Sequence, residues 1–361
     1  MKTIRTIAIY LPQFHPIEIN DKAWGKGFTE WTNVTKAKPQ FPGHYQPRLP
    51  RDLGYCDLRC EETRLEQVEY AKRYGIDAFC FYHYWFNSKR IMNMPIDKWL
   101  ETGKPNFPFM LCWANENWSR GWNGHPDDLL IAERYSHEDD LNHIHFLIKL
   151  FKDPRYLRVD NKPVFAIYNS KLHPHMAECI NTWRTEARKE GIELYLIRVE
   201  TYESTGAVHL KDGFDAAMEF QPHCRYGYGK KTEMLCRIVN MFTKKIFKKK
   251  IISTVFDYGK YSKNAIKHFD QSYKRYPCVT PMWDNSPRHK PFFALHNSTP
   301  SKFKYWLSQI YSKFVPYSSE ENLIFINAWN EWAEGNYLEP DMKWGTKYLE
   351  AVKESQNETL L

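Results

Sequence analysis

Two glutamates near the end of the chain have the spacing of an acid–base pair. Glu331 and Glu334 lie three residues apart in NAWNEWAEGNYLEP, directly after an apolar, strand-like run. In a turn or a first helical turn, that spacing places both carboxylates on the same side. Neighbouring carboxylates in different environments can divide into an acid and a base, which is the chemistry of glycosidic-bond cleavage or transfer. The alternative is that both only charge the N-terminus of a helix.

Aromatic residues are the second feature with chemical meaning. The chain has 13 Trp, 23 Tyr and 22 Phe, which is 16% of its 361 residues. A buried indole needs a partner for its N–H, so a core has limited use for so many tryptophans. Stacking on the flat faces of ligands such as sugars or bases is the competing use. Nine of the 13 Trp lie in segments that follow predicted strands, which indicates an aromatic-lined cleft.

The elements that position these residues alternate along the chain. Short apolar runs predict eight strands, at 6–11, 77–84, 109–114, 164–168, 194–199, 216–220, 278–283 and 323–327. Helical patterns lie between several of them, at 61–74, 137–151, 176–190 and 301–314. Such alternation favours a parallel sheet covered on both faces. An open doubly wound sheet is the alternative, but no G-x-G-x-x-G segment follows any strand.

We therefore expect an α/β protein, a single (β/α)8 TIM-like barrel domain over residues 1–361. Long loops lie at its C-terminal face, and an insertion or sub-lobe at 223–277 separates strands 6 and 7. In such barrels the chemistry lies at the carboxyl ends of the strands. The residues expected there to bind substrate are Tyr10, Gln13, His15, Trp31, His83, Tyr84, Trp85, Trp113, Asn115, Glu116, Trp118, Tyr168, Glu219, Trp283, Asp284, Asn330 and Trp332.

Some of these residues have a purely structural interpretation as well. His83 between two tyrosines suits a hydrogen-bonded core histidine equally well. Asn115 and Glu116 also suit a hydrogen-bonded loop brace. Glu30, which precedes Trp31 in KGFTEWTN after the first strand, suits the cleft and a helix start equally well.

The formal charge of +8 is concentrated in one segment. Residues 230–252, KKTEMLCRIVNMFTKKIFKKKII, carry eight Lys or Arg against one Glu, and their apolar residues recur at spacings of three and four. Two interpretations remain open: a solvated helix that packs on the barrel, or peripheral contact with an anionic membrane. Nucleic-acid binding is not expected, because aromatic residues do not interleave with these lysines.

The cysteine spacing and the first residues of the chain bear on metal binding and on where in the cell the protein is expected. None of the eight cysteines forms a C-x-x-C pair, and no Cys/His cluster has zinc spacing, so we expect neither a metal site nor a cofactor. The apolar stretch in MKTIRTIAIYLPQF is too short for a signal-peptide core. We therefore expect a cytoplasmic protein, in contact with the inner face of the plasma membrane if the basic segment binds lipid.

Three blocks of the sequence resemble a known family. IAIYLPQFHPIEINDKAWGKGFTEWTNV, CWANENWSRGWNG and AWNEWAEGNYLEP look like the WbsX family of bacterial O-antigen and capsule loci, whose members are often labelled glycosyltransferases. That family resembles the glycoside hydrolase family 99 endo-mannosidases, which are (β/α)8 barrels. The resemblance covers nearly the whole chain and is weakest across 223–277.

The resemblance implies roles for the two glutamates. Glu334 would be the general acid, and Glu331 would be a base acting on the sugar's own 2-hydroxyl, through a 1,2-anhydro intermediate with net retention. Ala333 departs from the larger polar residue that is common at this place in family 99 enzymes. Mannose specificity is therefore not carried over.

Three functions follow as hypotheses. The first is a retaining glycoside hydrolase or transglycosylase that acts on a bacterial surface oligosaccharide or polysaccharide, such as the O-antigen of lipopolysaccharide or a capsule. The second is a glycosyltransferase that extends a lipid-linked precursor. It fits the cytoplasmic expectation and the basic segment, although the chain has neither a glycine-rich phosphate loop nor a D-x-D sequence. The third is an inactive carbohydrate-binding protein.

Overall fold

Parallel strands form the centre of the molecule. The computed structural model describes residues 4–120, 125–201, 204–223, 238–239, 241–242, 245 and 252–360. The barrel strands are β1 (Arg5–Tyr10), β2 (Ala78–Phe86), β3 (Phe109–Trp113), β4 (Lys162–Ile167), β5 (Tyr195–Glu200), β6 (Ala216–Glu219), β7 (Arg275–Tyr276 and Cys278–Val279) and β8 (Leu323–Ile326). Neighbours pair in parallel from β1 to β6, and β8 pairs with β1.

The seventh strand connects the two ends of the sheet. Arg275–Tyr276 pairs with β6, and Cys278–Val279 pairs with β8. Pro277 separates the two segments because it has no N–H to give to the ladder, while its carbonyl accepts a hydrogen bond from Phe325 at 2.9 Å. The result is a nearly closed barrel, and the predicted (β/α)8 TIM-like fold is confirmed.

Helices surround this barrel. They are α1 (Glu18–Trp24), α2 (Glu30–Thr35), α3 (Glu61–Arg73), α4 (Met94–Thr102), α5 (His137–Phe151), α6 (Met176–Lys189), α7 (Tyr258–Lys267), α8 (Pro300–Lys313) and α9 (Lys347–Leu360). Local chemistry sets their starts: Ser136 accepts a hydrogen bond from Asp139 N at the start of α5, and Thr299 precedes Pro300 at the start of α8. The four predicted helices are confirmed.

Alternation along β2 separates the barrel interior from the helix side. Phe79 and Phe81 contact Trp99 of α4, with ring centroids 6.4 and 5.3 Å apart. Tyr82 instead contacts Tyr168, which follows β4, with ring centroids 6.1 Å apart. Because successive strand residues point to opposite faces, only every second residue at a strand end can reach a cleft.

The structure corrects the seventh predicted strand. The run 278–283 does not continue as one strand, because Pro281 lacks an N–H. The β7 strand ends at Val279, and Trp283–Asp284 pairs antiparallel with Phe293–His296 outside the barrel. Thr254–Asp257 joins the same small sheet.

The predicted insertion at 223–277 is described in part. Its last portion contains α7, which packs on α8 through edge-to-face contacts of Tyr258 and Tyr261 with Trp306. Most of the basic segment 230–252 lies outside the described residues. Within the described part of the chain, no helix has both the length and the apolar character needed to cross a membrane.

The remaining short elements lie mainly in the loops. The short strands are Lys89–Ile91, Trp118–Arg120, His125–Ile131, Arg158–Val159, Asn330–Glu331 and Asn336–Tyr337, and the 3₁₀ turns are Ser170–Leu172, Ala207–Asp212 and Trp332–Glu334.

Candidate functional site

The chain that follows β8 folds back on itself and brings the two glutamates together. Asn330–Glu331 pairs antiparallel with Asn336–Tyr337, and the turn Trp332–Glu334 lies between them. Gly335 ends this turn with φ +55°, and a Cβ there would lie 2.9 Å from both Arg48 Nε and Asp284 Cβ. Only glycine fits such a position, because it tolerates positive φ and has no side chain.

Arg288 connects three carboxylates in this site. Its Nη1 lies 3.2 Å from Glu334 Oε1, and its Nη2 lies 3.5 Å from Glu331 Oε2. The same Nη2 lies 2.6 Å from both oxygens of Glu30, at the start of α2. Glu30 Oε1 also accepts a hydrogen bond from Ala333 N at 2.8 Å. One buried guanidinium therefore links the loop that carries the pair to the loop after β1.

The environment of the pair favours retention of a proton. Burial first, and then the charge of Glu334, raise the pKa of Glu331 well above its usual range, against the opposing charge of Arg288. Burial also raises the pKa of Glu334 to about 7, with Arg288 opposing and Glu30 assisting. Two carboxyls with raised pKa values that repel each other keep a proton between them near neutral pH. Such a pair can act as an acid and a base together.

Tyrosines from β2 and the end of β4 face this pair. Burial, followed by the charge of Glu331, raises the pKa of Tyr84. For Tyr168, burial and the charges of Glu116 and Glu334 act in the same direction. Tyr82 lies between them, 6.4 Å from the ring of Tyr84. These rings provide aromatic surface beside the carboxylates, as the composition suggests.

Four predicted binding residues lie on the helix side of the barrel, which corrects that expectation. His83 Nε2 lies 3.0 Å from His143 Nε2 of α5, and the Trp85 ring stacks on His143 at 4.5 Å. The Trp113 ring also contacts His143, edge to face at 4.8 Å. Tyr10 donates a hydrogen bond to Gln67 of α3. Strand alternation turns these side chains away from the interior.

A second group of predicted binding residues connects neighbouring loops through hydrogen bonds. Asn330 bonds both backbone groups of Leu11, at 2.7 and 3.0 Å, and so fixes the loop of the pair to the end of β1. Asn115 likewise bonds the backbone N–H and C=O of Asn169, each at 2.8 Å. Both side chains have their polar groups engaged by protein, which supports the loop-brace interpretation of Asn115 and gives Asn330 a structural role, while substrate binding by either residue stays a prediction.

Asp284 is also a brace. It accepts hydrogen bonds of 2.7 Å from His44 Nε2 and Gln46 Nε2. Burial acts to raise the pKa of Asp284, but the hydrogen bond from His44 and the charge of Arg48 outweigh burial and lower it. The carboxylate therefore fixes the 44–48 loop beside Gly335.

The predicted tryptophans divide between packing and loop support. Trp31 and Trp332 contact each other with centroids 5.2 Å apart, and Trp31 Nε1 donates to Cys56 O. Trp118 donates to Asn20 and packs in a small cluster separate from the main core. Trp283 is buried and meets His223 edge to face at 5.0 Å. Their contacts are those of a scaffold around the cleft.

The other predicted residues have diverse surroundings. Glu219 pairs with Arg275 at 3.3 Å. Glu116 is exposed and accepts a 3.3 Å hydrogen bond from Asn169. Gln13 is buried, and its backbone carbonyl accepts a hydrogen bond from the backbone N–H of Glu30, the first residue of α2. Burial lowers the pKa of His15 to about 4, so this ring is neutral.

One described group has side chains typical of metal ligands. Donor atoms of Asp140, His173 and Cys179 lie within 4.8 Å of one another. His173 Nε2 lies 3.1 Å from Asp140 Oδ1, and His173 Nδ1 accepts a hydrogen bond from His175 N at 3.2 Å. A neutral imidazole that binds metal through Nε2 carries its proton on Nδ1. That proton would face the His175 N–H, so these contacts favour hydrogen bonding over metal binding.

Sequence reasoning missed Arg288. It follows β7 within an irregular loop, and no spacing connects it with the glutamates. For Glu30 the sequence left a place in the cleft and a helix-start role equally open. Its one signal was the position of KGFTEWTN after the first strand, where barrel enzymes carry functional loops.

The chain matches one protein family over nearly its whole length. A family model described as Glycosyltransferase WbsX matches residues 6–352. The protein named WxcX from Xanthomonas campestris pv. campestris (strain B100) is 40% identical over 353 residues, which cover 97% of this chain and 49% of WxcX. The WxcX protein of strain ATCC 33913 matches to the same extent. The chain thus spans about half the length of these curated relatives.

Solved structures show the same fold. The GH99 endo-alpha-mannosidase from Bacteroides thetaiotaomicron has a TM-score of 0.55 at 14% identity, over 99% of this chain and 97% of its own. A glycoside hydrolase-like protein has a TM-score of 0.57 at 14% identity, over 98% and 94%. Because the family model covers nearly the whole chain, this chain belongs to the family described as Glycosyltransferase WbsX.

Proposed function

We propose that this protein is a carbohydrate-active enzyme that cleaves or transfers a glycosidic bond, with Glu331 and Glu334 as its acid–base pair. The observation that carries the proposal is the buried pair linked through Arg288. The substrate class that we propose is a bacterial surface oligosaccharide or polysaccharide, of the O-antigen or capsule type. Family membership and the tyrosines beside the pair support this assignment.

The two glutamates take different roles in this proposal. Glu334 is the acid, because its side chain is 21% exposed and can reach a leaving oxygen, whereas that of Glu331 is 6% exposed. In the free site, burial favours a proton on Glu331. A sugar hydroxyl that donates to Glu331 stabilises its ionised form and moves the proton to Glu334. When Glu331 takes the proton of the substrate's 2-hydroxyl, O2 bonds to C1 as the leaving oxygen departs with a proton from Glu334. Water or an acceptor hydroxyl then opens the resulting 1,2-anhydro sugar at C1 and returns a proton to O2, and the two inversions give net retention.

Activated and natural substrates test these roles. The probes are a panel of glycosyl fluorides and the surface polysaccharide of the source bacterium, followed by NMR for anomeric configuration and by mass spectrometry. A fluoride leaving group needs little protonation, so Glu334→Gln should lose about 10²- to 10⁴-fold on polysaccharide and less on fluorides. Glu331→Gln should lose activity on both.

A matched control keeps this test specific. Glu178→Gln removes a carboxylate that is 82% exposed on α6 and should behave as wild type. Full turnover in both pair variants would refute the carboxylate assignment. Sugar binding without turnover of any probe by the wild type would instead indicate the inactive carbohydrate-binding protein.

A second candidate is a transferase that extends a lipid-linked precursor, which the description of the family favours. A transferase should bind a sugar donor in the presence of acceptor. Calorimetry with common nucleotide sugars tests this: heat with one of them would favour the transferase, and no heat with any of them would refute it.

We also propose that segment 230–252 contacts an anionic membrane surface, at the cytoplasmic face. Apolar Ile238, Met241 and Phe242 lie at helical spacing and are 39%, 62% and 54% exposed. Lys245 follows on the same helical face. Exposed apolar residues among lysines suit a lipid headgroup layer better than water.

A further inference from the structure

Another buried carboxylate, that of Glu339, contacts the loop that carries Glu331 and Glu334. Glu339 is 3% exposed, and its Oε2 accepts a hydrogen bond from Trp332 Nε1 at 2.6 Å. Its Oε1 accepts from Trp329 Nε1 at 3.0 Å and from Gln67 Nε2 at 2.6 Å. All three of these donors are neutral groups.

The two indoles belong to the loop that carries the pair. Trp329 directly precedes Asn330, and Trp332 lies between Glu331 and Glu334 in the chain. The Trp332 ring stacks on Tyr337 at 3.8 Å, so its orientation is restricted. A single carboxylate thus binds the loop at two points, one on each side of Glu331.

The other end of this network lies in the scaffold. Gln67 belongs to α3, and its Oε1 accepts a 2.6 Å hydrogen bond from Tyr10 OH of β1. Leu338 N and Glu339 N both donate to the carbonyl of Trp329, at 2.9 and 3.2 Å. The loop is therefore connected through Glu339 to a barrel strand and to a helix.

The charge on Glu339 matters for these contacts. An ionised carboxylate accepts on both oxygens, whereas a protonated one presents an O–H toward N–H donors. Burial raises the pKa of Glu339 to about 7, and the hydrogen bonds from Trp332, Gln67 and Trp329 oppose that rise. Burial also raises the pKa values of its titratable neighbours Tyr10 and Cys56, so both stay neutral.

We propose that Glu339 is a positioning residue whose ionised carboxylate fixes Trp329 and Trp332 and thereby the orientation of Glu331 and Glu334. The proposal rests on the proposed function for its catalytic consequence. The hydrogen-bonded network itself can be tested without any turnover.

The indole N–H signals in nitrogen–proton NMR spectra give that independent test. Trp329→Phe and Trp332→Phe assign the two signals. In a Glu331→Gln/Glu334→Gln background, which removes the two other titrating carboxyls of this loop, both signals should shift with pH across the neutral range, with a midpoint near the pKa of about 7. Adding Glu339→Gln to that background should abolish the titration of both signals. The other indole signals of the variant report that it is folded. If neither the Trp329 nor the Trp332 signal changes with pH or with Glu339→Gln, the proposal is overturned.

Kinetics tests the catalytic consequence. Glu339→Gln should lower kcat by about 10²-fold, the effect of displacing a reacting group by ~1 Å, with a smaller change in KM. If Glu339 acts through Trp332, then Glu339→Gln and Trp332→Phe should be less than additive in the double variant. Fully additive losses, or unchanged kcat with the NMR signals displaced, would refute the positioning role. A wild type without turnover would refute the proposed function alone and leave the NMR result standing.

Discussion

Arg288 and Glu30 should shift the titration of the pair in opposite directions. Arg288→Gln removes a positive charge that lowers the pKa values of Glu331 and Glu334, so both should rise. Glu30→Gln removes a negative charge that raises them, so both should fall. The optimum of a bell-shaped pH profile should therefore move to higher pH in the first variant and to lower pH in the second.

The distances give the size of the effect. Arg288 Nη1 lies 3.2 Å from Glu334, and at an effective dielectric constant of ~20 a unit pair there interacts by about 5 kcal/mol. One pKa unit corresponds to ~1.4 kcal/mol, and solvent that enters the site after truncation offsets part of the interaction. We therefore expect a shift of at least about one pH unit for Arg288→Gln. The shift for Glu30→Gln should be smaller, because Arg288 lies between Glu30 and the pair.

Two measurements follow the shift. One is the pH dependence of kcat/KM with a glycosyl fluoride that the wild type accepts. The other is the carbon NMR titration of labelled glutamate carboxyls, which needs no turnover. The double variant Arg288→Gln/Glu30→Gln removes an ion pair with no net charge. Its pH optimum and its carboxyl pKa values should therefore lie closer to those of wild type than those of either single variant. Arg188→Gln, at an exposed arginine of α6, is the matched control. Shifts of the same sign in the two single variants would refute this electrostatic account.

Three further predictions follow from the same site. Glu334 has a pKa of about 7 in the folded protein and 4.5 in the unfolded chain, so the folded state binds more protons between these values and loses stability as pH rises. Glu334→Gln should therefore be more stable than wild type above neutral pH by about 3 kcal/mol, measured by calorimetry. Equal stability of the two proteins at that pH would contradict the raised pKa. Gly335→Ala should destabilise by ~1–3 kcal/mol and lower activity, because a Cβ meets Arg48 and Asp284 at 2.9 Å, whereas Gly27→Ala, at positive φ in open space, should keep activity. Neutralising Lys248, Lys249 and Lys250 should weaken binding to vesicles that contain phosphatidylserine by ~1 kcal/mol per charge, and unchanged binding would refute the membrane contact.

The sequence alone determined the architecture of this protein. Apolar runs of five to eight residues between amphipathic helices predict parallel strands, because burial on both faces leaves a local pattern. The pairing of Glu331 with Glu334 was also readable, since both residues lie in one short turn. A glycine follows that turn where positive φ and close packing exclude a Cβ.

Only the tertiary structure decided which side chains surround the pair. Arg288 and Glu30 are separated by 258 positions and meet because two loops end at the same mouth of the barrel. The sequence also could not place His83, Trp85 and Trp113, because a one-residue difference in strand register reverses the face of every side chain. Glu339 contacts Gln67 across 272 positions, a contact that no local spacing encodes. Local periodicity determines elements, whereas the chemistry of a site depends on contacts between residues that are distant in the chain.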